Sequence, residues 1–290
     1  MDASIFVDAE GTPGNDEARM QSGDGGPMPR KAICAINIPS FSPDYREYAR
    51  ICLHTAHGCG YEPWLLVDGG DLSEDELRKE LGWATDGVGG ETAQMLRAQS
   101  RFLPEMTSAL RPKELLIARG AMLRLEIPFL FDDEIVLYTD LDVMFRKGID
   151  AMPPLPTVKY WGMVHEIRRG GMFNSGVSIM NLPNLRATAD VFDTWVRRMI
   201  LAGHLPKRCW DQGLINSFYK DNITTIPDEW NWRPYWGPNP DAAILHYHGP
   251  KPLDSEERLL KEYTNSGPNL VSPNFYTERE RWLKLWKTLK

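Results

Sequence analysis

Cysteine is scarce in this chain of 290 residues. Only Cys34, Cys52, Cys59 and Cys209 occur, and no two form a C-x-x-C pair. That spacing excludes a cysteine-rich zinc cluster, and four scattered cysteines are too few for a disulfide framework. The expectation is reduced thiols in a cytoplasmic protein, so the sequon at Asn222-Ile223-Thr224 would matter only in a secreted chain. No apolar run approaches the roughly 20 residues that span a bilayer. The first residues lack the basic-then-apolar order of a signal peptide. Positive charge is also in deficit: 33 Lys and Arg stand against 40 Asp and Glu, a net charge of −7. Such a surface repels nucleic acid, which is therefore not an expected partner. A phosphate-bearing ligand would need a local metal ion, lysine or row of backbone N–H groups. No internal repeat is visible.

The length suffices for one large α/β domain or two small ones. Residues 1–30 are rich in Gly, Asp, Glu and Pro and read as a disordered tail. From Lys31 the pattern becomes ordered. Residues 32–36 are a continuous apolar run that suits a buried strand. Ser42 and Pro43 then open a helix as cap and first helical residue, ending near Gly58 or Gly60. Residues 61–67 read as a second strand, and Ser73 with Glu76 forms a capping box for a second helix. This alternation predicts a mostly parallel sheet covered by helices. Residues 112–130 read as one helix ending near Pro128, and 135–138 as a central strand. Residues 185–202 have helical apolar spacing, 226–240 read as an irregular Pro- and Trp-rich loop region, and the chain closes in a helix.

Four segments carry chemistry. Asp140 and Asp142, in YTDLDVMF, lie just past the central strand, where ligands bind in open α/β sheets. Two carboxylates one residue apart can converge on a hard cation such as magnesium or manganese, although solvated strand ends and helix caps look the same. In FNSGVSIMNL, Asn174 can bond sugar hydroxyls and Gly176 permits close backbone approach, while a tight turn into a strand is the plain alternative. Asp211 and Gln212 precede a helical pattern, which fits a helix N-cap as well as a catalytic pair. In HYHGPKP, His246 or His248 offers an imidazole to a metal, and Lys251 offers a point charge to a phosphate.

The order of these pieces resembles the family 8 retaining glycosyltransferases. The matching segments are RLEIP (124–128), VLYTDLDVMF (136–145), FNSGVSIMNL (173–182), DQGLIN (211–216) and HYHGPKP (246–252), with a looser match in AINIPSFSPDYREYA. The resemblance implies a GT-A type, Rossmann-like α/β domain over 31–254, followed by a helical extension over 255–290. It implies transfer of a hexose from a nucleotide-diphosphate sugar, usually a UDP-sugar, to a saccharide, lipid-linked or small polyol acceptor, with Mn2+ or Mg2+ as cofactor. On this likeness the metal ligands are Asp140, Asp142 and His246. Asn37, Arg124, Asn174, Ser175, Gly249 and Lys251 bind the donor, and Asp211 and Gln212 flank the anomeric carbon. Gly213 and Leu253 depart from the family pattern, which commonly has an acidic residue and a tryptophan there.

Two other functions compete. A sugar nucleotidyltransferase would carry a Gly-rich basic loop after its first strand, where this chain has NIPSFSPDY. A non-catalytic binding protein of the same fold would have no need to keep all three ligands. Separately, Trp282, Leu285, Trp286 and Leu289 form a helical stripe beside Lys284, Lys287 and Lys290. That stripe fits either peripheral membrane contact or packing on the domain.

Overall fold

The structure, a computed structural model, describes residues 26–38, 43–87, 90–91, 93–166, 171–205, 210–263 and 270–289. The expected tail lies outside these residues up to position 25, as do Ser42, the expected first helix cap, and Cys209. Gly26 is already tied to the domain, its N–H donating to the Leu155 carbonyl at 2.8 Å.

β1 (Lys31–Asn37), α1 (Pro43–Gly58), β2 (Glu62–Asp68) and α2 (Glu74–Thr85) realise the expected alternation. Both halves of the capping box form, Ser73 N–H to Glu76 Oε2 at 2.7 Å and Glu76 N–H to Ser73 Oγ at 3.3 Å. A short hairpin, β3 (Asp86–Gly87) and β4 (Gly90–Glu91), leads to β5 (Gln94–Arg97) and α3 (Leu103–Ala109). The single helix expected over 112–130 is broken. α4 (Pro112–Met122) passes into a 3-10 turn at Leu123–Glu126 and then into α5 (Ile127–Leu130). Pro128 has no N–H to give the Arg124 carbonyl, and the Ile127 N–H bonds that carbonyl instead. The tighter winding buries all four residues of the turn, Arg124 included.

β6 (Ile135–Thr139) is wholly buried and is followed at once by β7 (Val143–Phe145). Then come β8 (Trp161–His165), β9 (Phe173–Asn181), α6 (Leu182–Ala187), α7 (Ala189–Leu201), α8 (Trp210–Phe218), β10 (Ile223–Thr225), β11 (Ile244–His246), α9 (Glu256–Tyr263) and α10 (Pro273–Thr288). The helix read at 185–202 thus starts earlier and breaks at Thr188, because Asn181 caps α6 from within the strand. Asp211 lies inside α8 rather than capping it.

The main sheet has the order β10-β8-β9-β6-β1-β2-β5. Its pairs are parallel except where β9 runs antiparallel to both neighbours. Alternate residues of β1 feed the two faces. Cys34 and Ile36 pack under α1 and α10, and Ile33 packs under α4 and α8. Burial on both faces explains why this strand reads as an unbroken apolar run. A second sheet pairs β7 with β11 antiparallel.

The C-terminal stripe turns inward. Trp282 is buried against Tyr48 of α1, with ring centroids 5.5 Å apart, and Trp286 Nε1 donates to Glu47 at 2.6 Å. Lys284 and Lys287 remain exposed. Among the described residues no helix is long and apolar enough to cross a membrane.

Candidate active site

β1 and β6 are parallel neighbours, and the chain leaves them toward opposite edges of the sheet. Their carboxyl ends open a cleft of about 570 Å³, walled by Asn37, Tyr45, Ile117, Arg124, Asp142 and Lys251. The Asp140–Asp142 segment occupies the break between β6 and β7, where the chain leaves the large sheet for the small one. Two backbone bonds fix that break: Asp140 N–H to the Gly176 carbonyl at 2.7 Å and Tyr247 N–H to the Asp142 carbonyl at 2.9 Å. β11 lies beside β7 with His246 opposite Val143, which brings the imidazole next to Asp142.

Asp140, Asp142 and His246 each offer one ligand atom, all within 4.8 Å of one another. His246 Nε2 stands 3.4 Å from Asp142 Oδ1 and 3.9 Å from Asp140 Oδ2. The other carboxylate oxygens face cations of the protein. Asp140 Oδ1 accepts from Arg124 at 2.9 Å and from the Tyr138 hydroxyl at 3.2 Å, and Asp142 Oδ2 accepts from the Lys251 ammonium. Burial opposes the charge on Asp142, but Lys251 and His246 outweigh it and hold the carboxyl well below the usual range. Gly176 is required by space alone. A Cβ there would lie 2.3 Å from His246 Cε1 and 2.7 Å from Asp140 Oδ2. Gly249, at φ +98°, takes a left-handed turn suited to glycine, between His248 and Lys251.

Beside the triad lies a second group. Arg124 Nε meets Asp211 Oδ2 at 2.8 Å, its guanidinium sits 4.1 Å over the Tyr138 ring, and it donates to the Ser175 carbonyl. Ser175 Oγ donates to Asp211 at 3.2 Å. Burial pushes the Asp211 carboxyl up to about 6 against the pull of Arg124, with the Asp140 charge adding to the rise. Gln212 Oε1 accepts from the Ser175 N–H at 3.1 Å and from Asn174 Nδ2 at 3.3 Å. A backbone N–H can only donate, so this contact fixes which end of the amide is oxygen. Ser175 and Gly176 reach the site through a register jump. Met163 pairs with Ser178, but the next residue, Val164, pairs with Asn174.

The structure therefore gathers Asp140, Asp142, His246, Lys251 and Arg124 around one point, with Asn174, Ser175, Asp211 and Gln212 adjoining. Asn37 lines the far wall, its amide donating to the Leu116 carbonyl at 2.6 Å. His248 also lines the cleft, its Nε2 3.6 Å from Glu166 Oε2. Three participants escaped the sequence reading. Tyr138 read only as strand, Glu166 had no motif, and Asn231 lay in the expected loop region.

A Rossmann-like, mostly parallel sheet with carboxylates and an imidazole at its switch point defines a GT-A glycosyltransferase. This chain belongs to glycosyl transferase family 8, whose profile matches residues 74–254. No curated protein sequence matches it significantly. Among solved structures, the galactosyltransferase LgtC in complex with donor and acceptor sugar analogues aligns with a TM-score of 0.60 at 17% identity, covering 90% of this chain and 96% of its own. GlyE of Streptococcus pneumoniae TIGR4 aligns with a TM-score of 0.53 at 15% identity, over 91% of this chain and 65% of that one. Mouse xyloside xylosyltransferase 1 gives 0.51 at 12% identity, over 77% and 99% respectively. At these identities the likeness is one of fold.

Proposed function

We propose that this protein is a metal-dependent, retaining hexosyltransferase. It takes a hexose from a nucleotide-diphosphate sugar, a UDP-sugar in the first instance, and passes it to a saccharide, lipid-linked or small polyol acceptor. The observation that carries this reading is the convergence of Asp140 Oδ2, Asp142 Oδ1 and His246 Nε2 at the mouth of the cleft, beside the Lys251 ammonium.

The donor set fits a divalent ion. Each carboxylate spends one oxygen on a protein cation and leaves the other toward His246. Two hard carboxylate oxygens and one imidazole nitrogen, all within 4.8 Å of one another, suit a single divalent ion. Mn2+ or Mg2+ held by Asp140, Asp142 and His246 would supply positive charge to the departing diphosphate.

The chain's own residues do the rest. Lys251 adds a point charge near the same phosphates. Asn37 stands on the nucleoside side of the cleft, and the turn at Gly249 returns the chain so that Lys251 reaches inward. Asn174 and Ser175, buried and bonded within the protein, back the sugar side, and Gln212, pinned through its oxygen, turns its N–H2 away from that contact. Asp211 Oδ2 is engaged by both Arg124 and Ser175. That engagement supports front-face attack, in which the departing phosphate oxygen takes the acceptor's proton, over a covalent intermediate on Asp211. The thiols of Cys34, Cys52 and Cys59 are unpaired, which supports a cytoplasmic setting, and the outward Lys284 and Lys287 are where the surface would meet an anionic membrane.

The test is a panel of nucleotide sugars with Mn2+, read as released nucleoside diphosphate. One donor should be turned over, EDTA should abolish the reaction, and Asp140→Asn and Asp142→Asn should each cost at least about 100-fold, near 3 kcal/mol of transition-state stabilisation. Undiminished turnover in EDTA refutes the proposal.

A further inference from the structure

Behind His246 lies a chain of side-chain amides whose polarity is set by the backbone. The Gly176 N–H donates to Asn174 Oδ1 at 3.1 Å. Because an N–H cannot accept, that Asn174 atom is the oxygen, and its Nδ2 points the other way, to Glu166 Oε2 at 3.1 Å and Gln212 Oε1 at 3.3 Å. Asn231 also meets Asn174 Oδ1, at 2.9 Å, so the Asn231 atom there is its Nδ2 donor. The other end of the same amide, Oδ1, then faces His246 Nδ1 at 2.9 Å. An amide oxygen only accepts, so His246 Nδ1 carries a proton, and Nε2 is the ring nitrogen left to serve as a ligand. Nε2 faces Asp140 Oδ2 and Asp142 Oδ1.

Asn231 is built into this place. It is fully buried. On one side the Trp230 indole donates to the Pro153 carbonyl at 3.0 Å. On the other, Trp232 N–H bonds the Ile244 carbonyl at 3.0 Å and His246 N–H bonds the Trp232 carbonyl at 2.8 Å. The segment expected to be an irregular loop is thus braced against β11, one residue from the imidazole it serves.

We propose that Asn231 is a positioning residue for the metal site: its side-chain carbonyl holds His246 in the Nδ1–H tautomer and so keeps Nε2 available as a ligand. This rests on the metal-dependent reading of the site, and its Nδ2 bond links the same histidine to Asn174 and Gln212 on the sugar side.

The experiment uses the full-length protein with 15N-labelled histidine. Long-range 1H–15N correlations on the metal-free form at pH 8, with His246→Gln for assignment, read the tautomer directly. Wild type should show His246 protonated on Nδ1. Asn231→Leu, an apolar near-isostere, should lose that tautomer and bind Mn2+ about 10- to 100-fold more weakly by EPR of the free ion. Asn231→Asp still accepts from Nδ1, so it should keep tautomer and Mn2+ affinity. It cannot donate to Asn174, so turnover should fall. A wild-type His246 protonated on Nε2 but not on Nδ1 overturns the proposal, and so does Asn231→Leu with tautomer and affinity unchanged. If Asn231→Leu does not fold, Asn231→Asp decides, and its loss of the Nδ1–H tautomer is the refuting result. A wild type that shows the tautomer yet binds no Mn2+ instead defeats the metal reading and leaves the role of Asn231 in place.

Discussion

Lys251 offers a quantitative test that needs no substrate. Its side chain is 20% exposed and that of Asp142 is 8% exposed, so the pair is largely screened from water. Lys251→Met keeps the length and apolar stem but removes the ammonium. Among the described residues, Asp142 is then a buried carboxylate with His246 as its remaining ion-pair partner. Breaking a buried ion pair on one side costs about 3–5 kcal/mol, because the remaining charge is left without compensation. For a domain of this size about 1 kcal/mol moves the melting temperature by roughly 2 °C, so the metal-free variant should melt about 6–10 °C lower. Mn2+ should offset part of that loss. A ligand at 100 times its dissociation constant stabilises the folded state by about 2.7 kcal/mol. The metal-induced rise should be larger in the variant, where the ion is the chief cation left to Asp142. Calorimetry or fluorescence melts in EDTA and in excess Mn2+ provide all four numbers. Equal melting temperatures for variant and wild type in EDTA would refute the reasoning.

Gly176→Ala should leave the fold intact but weaken Mn2+ binding and turnover by at least about 100-fold, since its Cβ must displace His246 or Asp140. Isothermal titration with Mn2+ checks this, and an unchanged affinity contradicts it. Asp211 sets an acidic limb for activity. Its carboxyl ionises near 6 in the folded protein, so a step needing the carboxylate is halved near pH 6 and falls about tenfold per unit below. The sign for stability is opposite. A carboxyl raised above its unfolded value favours the folded state when protonated, and that advantage is lost as pH rises through 6. Asp211→Asn should therefore abolish the limb, and a kcat/KM profile flat from pH 5 to 8 in wild type would count against the assignment. An α-linked donor should give an α-linked product by NMR of the anomeric proton, and a β-linked product would overturn front-face attack.

What was legible in the sequence was local. The unbroken apolar runs of β1 and β6, the alternation of strand and helix, and the capping box at Ser73 and Glu76 each depend on neighbours a few residues away. The carboxylates of Asp140 and Asp142 stood out because they follow a buried strand. What was hidden depended on partners distant in the chain. The 3-10 turn that delivers Arg124 looks like ordinary helix, since its apolar neighbours are buried all round. The antiparallel course of β9 and the register jump that exposes Ser175 leave no trace in residue spacing. Asn231 was lost among prolines and tryptophans because its importance comes from two hydrogen bonds, to residues 57 and 15 positions away. The choice between His246 and His248 follows from the order of motifs; His246 lies within β11, in register with Val143, whereas His248 lies beyond its end.

The pairing of β7 with β11 has a consequence for biosynthesis. Asp142 and Lys251 are separated by 109 positions. On the ribosome the two aspartates therefore emerge long before the histidine and the lysine that complete their site. Until β11 docks, a carboxylate destined for the interior has no cation beside it, and the small sheet has one strand. The nascent chain consequently passes through an interval in which its main sheet can assemble while its chemistry cannot. A chain broken off before Ile244 lacks His246, Lys251 and the strand that pairs with β7, while every strand of the main sheet is already present.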